Sequence, residues 1–389
     1  MRTVTPPGAV TVAHVITRMI VGGAQETVLL AACLADRDRF APVVVCGPQT
    51  GSEGSLHDEL RRRGVDLVVV PELVRQVSPR ADARSVLALT RVFRELDARV
   101  VHTNSSKAGI VGRVAARRAG VTRVIHTVHG WPFHEHQRAP VRKLWQQLER
   151  RAAPLAERLV VVADADRVKG LAAGVGRAEQ YVTVRSGLEL GLYGADVRVR
   201  REVRRELGLA PDARVIGAVN RLSAQKDPLC LLRAAATALR ADPGARLLLV
   251  GDGPLRRDVL ELAATLGIHG QVLSVGLRRD VERLLTAVDV FVTASLWEGL
   301  PRTVLQAMAT GVPVVATAAD GVVDVVVDGR TGLLAPPGDA DALGAAVGRV
   351  LADPALGVRL AAAAAEQLGA FDATVMVRRL EGLYAGQAV

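Results

Sequence analysis

Lysine and aromatic residues are scarce in this chain of 389 residues, although the chain is strongly basic. The formal net charge is +10, yet only four of the 50 basic residues are lysines, and aromatic residues make up 3% of the sequence. So few aromatics argue against stacking platforms for single-stranded nucleic acid, and the excess of arginine indicates a coding bias rather than a polybasic patch. We therefore expect no nucleic-acid partner, and phosphate-bearing substrates or peripheral contact with acidic lipid head groups remain compatible with the charge.

Cysteines and long apolar runs are scarce as well. Cys33, Cys46 and Cys230 lie far apart without C-x-x-C spacing, which argues against a disulfide framework and against a thiolate zinc site. The N-terminal residues have no apolar signal-peptide core, and no uncharged run reaches the ~18 residues that a membrane-spanning helix needs. The sequence predicts a cytoplasmic protein whose contact with the inner membrane face, if any, is peripheral.

Short apolar runs alternate with stretches of helical periodicity along the whole chain, which is the pattern of repeated β-α units. Glycines at 187, 191 and 194 interrupt this pattern half-way and predict a hinge. The sequence predicts an α/β protein with two Rossmann-like, doubly wound parallel sheets that face a central cleft, and a C-terminal helix that crosses back to the first domain. The predicted domains are residues 1–190 with helix 372–389, and residues 191–371.

Open parallel sheets bind ligands beyond the carboxyl ends of their strands, so the loops after strands are the candidate site. Gly22 and Gly23 follow the first predicted strand and suit a phosphate at a helix N-terminus, although an ordinary turn explains them equally well. Gly251 and Gly253 follow another strand, but Pro254 breaks the G-x-G-x-x-G spacing. This argues against a nicotinamide cofactor.

Two segments of the second half carry the most specific pattern. Arg221 and Lys226 keep an R-(x)4-K spacing, and Glu298-Gly299-Leu300-Pro301 runs on to Gln306. These segments resemble the family-4 retaining glycosyltransferases of the GT-B fold, and the resemblance extends over nearly the whole chain. It implies that the two cations stabilise the negative charge that a leaving nucleoside diphosphate gains. The alternative interpretation is that Arg221 and Lys226 are only a solvent-exposed pair of charges at the start of a helix.

The resemblance also implies further roles, with departures from the family pattern. Glu298 would approach the sugar hydroxyls, and Gln306 stands where the family has a ribose-binding Glu, at a loss of roughly 1–2 kcal/mol. Asp324 stands where the family commonly has Glu, so its role is in doubt. The implied donor-binding residues are Gly22, Gly23, Asn220, Gly251, Gly253, Leu277, Arg278, Gly299, Leu300, Pro301 and Gln306.

In the first half, segments 102–107 and 127–130 resemble the family's "HTHSSKAG" and "HTVHG" stretches. The resemblance places His129 beside the donor sugar as a hydrogen-bonding group, and a structural histidine is the alternative. For the aromatic residues Trp131 and Phe133, packing in the core is the alternative to binding the acceptor. The implied catalytic residues are Arg221, Lys226, Glu298 and His129, and the implied acceptor-binding residues are Asn104, Ser105, Lys107, Trp131, Phe133 and His134.

A metal site is the competing interpretation of four histidines, at 126, 129, 134 and 136, but their spacing matches no common zinc pattern. We expect no metal and no cofactor beyond a nucleotide-sugar co-substrate. The resemblance implies transfer with retention to a glycan, lipid-linked or small-molecule acceptor. It also places the cations at 221 and 226 and the early glycine turn on one pyrophosphate. A nucleotide-sugar 2-epimerase and a catalytically silent nucleotide-sugar sensor remain as alternatives.

Overall fold

The computed structural model describes residues 8–51 and 53–387. It divides the chain into two compact units. Residues up to Gly187 form the first unit together with the segment from Ala373 onward, and Leu188–Asp372 form the second. The divisions lie within three residues of the predicted domain limits. Residues 1–7 and 388–389 of the predicted first domain lie outside the described residues.

The first unit contains a seven-stranded parallel sheet with strand order β3-β2-β1-β4-β5-β6-β7. Its central strands are continuous apolar runs because both faces of the sheet are covered. The strands are β1 (Val10–Ile16), β2 (Phe40–Cys46), β3 (Asp66–Val69), β4 (Val100–Asn104), β5 (Arg123–Val128), β6 (Arg158–Val161) and β7 (Tyr181–Thr183).

Helices cover both faces of this sheet. Alternate side chains of β1 point to opposite faces, so Ala13 and Val15 pack in one apolar cluster and Val12 in another. The fully buried ion pair between Arg113 and Glu149, 2.6 Å apart, joins two of the helices. The helices before the last are α1 (Gly23–Cys33), α2 (His57–Arg62), α3 (Pro79–Glu95), α4 (Ser106–Ala119), α5 (Ala139–Ala152) and α6 (Asp164–Ala172).

The last helix of the chain belongs to the first unit, as the sequence predicted. It spans Ala373–Tyr384, and its buried face packs in the cluster that contains β1 and α1 residues. Polar contacts fix its position, because Glu381 Oε1 accepts from the Asp36 amide at 2.7 Å and the Tyr384 hydroxyl lies 2.7 Å from His102 Nδ1. The helix therefore completes the covering of the first sheet.

The second unit repeats the architecture with a six-stranded parallel sheet of order β10-β9-β8-β11-β12-β13. Its strands are β8 (Val215–Val219), β9 (Arg246–Val250), β10 (Val272–Gly276), β11 (Val290–Thr293), β12 (Val314–Thr317) and β13 (Leu333–Ala335). Its helices are α7 (Val197–Glu206), α8 (Pro228–Ala241), α9 (Arg256–Thr265), α10 (Val281–Leu285), α11 (Arg302–Ala309), α12 (Ala340–Ala352) and α13 (Pro354–Gln367); the helix Ala373–Tyr384 of the first unit is α14.

The strand order reverses between β1 and β4 in the first sheet and between β8 and β11 in the second. Ligands of open parallel sheets bind in the crevice at such a reversal, beyond the carboxyl ends of the strands. The predicted doubly wound parallel sheets are thus confirmed for both units. Within the described residues, no helix combines the length and the apolarity that crossing a bilayer requires.

Candidate active site

The loop after β8 and the loop after β11 meet at the strand-order reversal of the second sheet. Lys226 ends the short 3₁₀ helix Ala224–Lys226 of the β8 loop, and its ammonium contacts Glu298 Oε1 in the β11 loop. The backbones are also joined, because the Leu296 amide donates to the Gln225 carbonyl at 2.8 Å. The two segments singled out in the sequence therefore form one site.

Glu298 is a buried carboxylate with 7% of its surface exposed. Besides Lys226, its Oε1 accepts from the Ser295 hydroxyl at 2.7 Å, and its backbone amide donates to Asp320 Oδ2 at 3.2 Å. Thr317, at the end of β12, donates to the Ser295 carbonyl at 2.6 Å and holds this turn from a third strand. A carboxylate that is buried and bonded in this way keeps one orientation.

The β8 loop keeps its shape through residues in unusual conformations. Asp227 has a left-handed backbone (φ 38°), which is why glycine suits this position in the family pattern, and here its carboxylate caps α8 by accepting from the Cys230 amide at 3.1 Å. Gly251 (φ +128°) lets the β9 loop lie against the β8 loop, because a Cβ there would come within 1.9 Å of the Asn220 carbonyl oxygen. A Cβ on Gly253 would come within 2.4 Å of the Leu222 carbonyl oxygen.

The segment Gly299-Leu300-Pro301 leads directly into α11, whose first amides face the same reversal. Free amides at a helix start suit an anionic or hydroxyl ligand. Gln306 lies within α11, is 7% exposed, and donates through Nε2 to the Tyr193 hydroxyl at 2.9 Å. The position that corresponds to the family's ribose carboxylate is therefore hydrogen-bonded to the segment that follows the 3₁₀ helix Leu190–Leu192.

In the first unit, the residues after β4 and β5 come together at the other reversal. His129 Nε2 lies 3.0 Å from Asn104 Oδ1, and Asn104 Nδ2 donates to the His102 carbonyl at 3.2 Å. A carbonyl can only accept, so the Asn104 amide must direct its nitrogen to His102 and its oxygen to His129. His129 Nε2 is consequently the protonated nitrogen that donates to Asn104.

Three further histidines of the first unit are buried in the sheet. Burial is the main cause that lowers the pKa of His14 to about 4, and it also holds the pKa of His102 and His126 well below the usual range. His102 bonds Tyr384 through Nδ1 and the Thr127 hydroxyl through Nε2, at 2.7 and 2.6 Å. These rings are neutral near pH 7 and serve packing and hydrogen bonding.

Comparisons with known proteins agree with this arrangement over nearly the whole chain. The family model "Glycosyl transferase 4-like domain" matches residues 21–187, and "Glycosyl transferases group 1" matches residues 199–367. UDP-Gal:alpha-D-GlcNAc-diphosphoundecaprenol alpha-1,3-galactosyltransferase of Escherichia coli is 29% identical over 381 residues, which cover 97% of each chain. D-inositol 3-phosphate glycosyltransferase of Nocardia farcinica is 30% identical over 357 residues, covering 77% of this chain and 78% of the relative.

Among solved structures, Anabaena Alr3699/HepE in complex with UDP-glucose has the same fold, with a TM-score of 0.83 at 23% identity over 97% of this chain and 99% of the other. The chain belongs to the family-4-like glycosyltransferases of the GT-B fold. The enzyme is a glycosyltransferase, and both family models end close to the limits of its two compact units.

Several predicted site residues of this glycosyltransferase make structural contacts within the protein. Lys107 forms a 2.6 Å ion pair with Asp82 within the first unit. Trp131 and Phe133 are 6% and 2% exposed, stack on each other at 5.1 Å and pack in a core cluster. The core-packing alternative therefore describes these two aromatics, and little of their surface is left for an acceptor.

Two predicted donor-binding residues, Leu277 and Arg278, directly follow β10. Arg278 donates to Asp280 at 2.8 and 2.6 Å and to Glu206 at 2.9 Å, and these bonds raise the pKa of its guanidinium. Leu277 is 45% exposed. Gly251 and Gly253 allow close backbone packing, and Asn104 bonds His129 and His102. These contacts shape the loops of the glycosyltransferase, and ligand binding by these residues stays a prediction.

The other predicted residues lie in segments that follow strands of the two sheets, and their roles stay predictions. Gly22 precedes α1, which begins at Gly23, and the Gly22 carbonyl accepts from the Glu26 amide at 2.9 Å. Ser105 has φ +63° directly before α4. Arg221 is exposed in the β8 loop, and Asp324 is half-buried after the 3₁₀ helix Asp320–Val322.

The His134 and His136 rings lie 6.0 Å apart, and no group of three metal-ligating side chains occurs among residues 8–51 and 53–387.

Sequence reasoning missed three contributors to the site. Ser295 and Asp320 hold Glu298, and Tyr193 bonds Gln306. Ser295 lies three residues before Glu298 and could have been found, because a hydroxyl at that spacing can reach a carboxylate within one turn. Tyr193 is 113 positions from Gln306, and no local pattern connects the two.

Proposed function

We propose that this glycosyltransferase moves a sugar with retention from a UDP-sugar to a sugar carried on a lipid diphosphate. The observation that supports the proposal most directly is the contact between Lys226 and the buried Glu298 at the β8–β11 reversal. The named substrates of the E. coli relative and the UDP-glucose complex of the Anabaena protein favour a uridine donor. We assign donor binding to the second unit and acceptor binding to the first.

The proposed chemistry needs little more than positioning and charge. The acceptor hydroxyl oxygen bonds to the anomeric carbon on the face from which the diphosphate leaves. The bond from that carbon to the phosphate oxygen breaks, and the hydroxyl proton goes to the departing phosphate. Lys226 has three N–H donors, so one contact with Glu298 is compatible with bonds to phosphate oxygens. Such bonds strengthen as the leaving group gains charge.

The donor assignment is tested first by thermal stability. The full chain is heated with UDP, GDP or ADP, and a ligand at 100 times its Kd should add about 2.7 kcal/mol of stability. We expect UDP to raise the Tm most.

A second experiment tests transfer and retention. The enzyme is incubated with UDP-galactose, UDP-glucose or UDP-N-acetylglucosamine and a lipid-diphosphate-linked sugar, and the product is analysed by mass spectrometry and by NMR of the anomeric centre. An inverted product contradicts retention, conversion of the donor alone indicates an epimerase, and binding without turnover indicates a sensor.

Lys226→Ala should lower kcat/KM by about 30- to 1,000-fold, or roughly 2–4 kcal/mol of transition-state stabilisation. The matched control is Lys143→Ala, which removes an exposed lysine of α5. Because Lys226→Ala also leaves the Glu298 carboxylate buried without its cation, the Tm must be measured beside the rate. Wild-type turnover in a folded Lys226→Ala variant would remove this lysine from the mechanism.

A further inference from the structure

Asn220, the first residue after β8, has a buried side chain whose polar atoms have no hydrogen-bond partner. The residue is 9% exposed, and neither Oδ1 nor Nδ2 is hydrogen-bonded. Burying an amide without partners is unfavourable, and nearly all buried polar groups in native structures are bonded. An amide that stays buried and unbonded in the ligand-free protein therefore requires an explanation.

The main chain around Asn220 is firmly held, in contrast to its side chain. Its amide donates to the Val250 carbonyl at 3.0 Å, and the glycine at 251 allows close backbone contact with it. The side chain is held by packing alone, so rotation towards a ligand breaks no hydrogen bond. The backbone of Asn220 is thus fixed while its side-chain amide forms no hydrogen bond, and the residue lies in the same loop as Lys226.

The chemistry of the amide limits what can satisfy it. Its oxygen accepts and its nitrogen donates twice. A phosphate oxygen only accepts, so a diphosphate would bond Nδ2 and leave Oδ1 facing negative charge. A sugar hydroxyl both donates and accepts, and can satisfy either amide atom. The ribose is assigned to Gln306 in α11, whereas Asn220 shares its loop with the lysine assigned to the diphosphate.

We propose that Asn220 binds a hydroxyl of the sugar that is transferred, and that it contributes to the choice of donor sugar. This inference rests on the proposed nucleotide-sugar function and names a residue that distinguishes between donor sugars. The family pattern that this chain resembles has glycine at this position. Glycine has no side chain that could form the contact, so the proposed contact is specific to this chain.

The test compares Asn220→Gly and Asn220→Ala with the wild-type full chain. Calorimetric titration measures Kd for UDP and for the UDP-sugar that the wild type binds most tightly. We expect the Kd for UDP to change less than about twofold and the Kd for the UDP-sugar to rise about tenfold, the size of one lost hydrogen bond. Deoxygenated donor sugars should identify the hydroxyl: the analogue that lacks it should bind wild type and variant equally well.

Ser274→Ala is the matched control, because Ser274 Oγ on β10 is also buried without a partner but lies outside the β8 loop. Asn220→Ala and Ser274→Ala each remove an unsatisfied buried group, so neither variant should lose Tm in the absence of ligand, and only the Asn220 variants should lose UDP-sugar affinity. Unchanged affinity in both Asn220 variants, or an equal loss for UDP and UDP-sugar, overturns the inference alone. A wild type that binds neither ligand overturns the proposed function with it.

Discussion

Asn104 shows how one side chain can set the chemistry of another at the residue scale. Its amide is 2% exposed and is fixed by the His102 carbonyl, so only its oxygen can face His129. This arrangement keeps the proton of the contact on His129 Nε2.

Asn104→Asp should replace the neutral acceptor by a carboxylate 3.0 Å from His129 Nε2 and so favour the imidazolium. We expect the midpoint of the His129 titration to move to higher pH, as measured from the ring ¹⁵N shifts by NMR. Asn104→Leu is the companion variant, and should let the Nδ1–H tautomer appear. A wild-type spectrum dominated by the Nδ1–H tautomer would show that the Asn104 amide does not determine the tautomer of the His129 ring.

At the scale of elements, the strands could be predicted because parallel strands buried on both faces are continuous apolar runs. Strands β1 (Val10–Ile16) and β8 (Val215–Val219) are two such runs. Strand β13, Leu333–Ala335, was missed because three residues between Gly332 and Pro336 are too short to show any period.

The site could be predicted only in part, for a physical reason. The positions of loops follow from the order of strands, so the meeting of Lys226 with Glu298 was foreseeable from topology. The partner of each side chain depends on packing between segments distant in sequence. Lys107 pairs with Asp82, 25 positions before it, and Arg278 bonds Glu206, which is 72 positions away. Neither contact leaves a periodic signal.

Gly251→Ala tests the role of the glycine in holding two loops together. Its Cβ would lie 1.9 Å from the Asn220 carbonyl oxygen, and its φ of +128° is strained for any L side chain, so we expect a loss of about 2–3 kcal/mol in the free energy of unfolding of the second unit. Urea denaturation measures this loss.

Gly348→Ala is the control, because Gly348 lies in α12 with no atom within 4 Å of an added Cβ and should gain up to ~1 kcal/mol. Equal effects of the two substitutions would contradict the packing role of Gly251.

At the scale of the whole molecule, the histidines are distributed unevenly between the two units. Of the eight in the chain, only His269 belongs to the second unit, and it is exposed. The first unit contains three that are buried and uncharged near pH 7: His14, His102 and His126. Acid should therefore act on the two halves of the enzyme differently.

The direction of this effect follows from proton linkage. In the unfolded chain a histidine titrates near pH 6.5, whereas burial lowers the pKa of folded His14 to about 4. Between these values the unfolded state binds a proton that the folded state excludes, so stability is lost as pH falls from about 6.5 towards 4. Each such histidine contributes a slope of up to about 1.4 kcal/mol per pH unit.

We expect the first unit to lose stability between pH 7 and pH 5 while the second unit changes little. Urea denaturation followed by pulsed hydrogen exchange and mass spectrometry resolves the units, because peptides from each report separately. His14→Leu should make the pH dependence of the first unit shallower, and His269→Gln should leave both profiles unchanged. If the second unit opened first in acid, the buried histidines would not be the source of acid sensitivity, because that unit contains none of them.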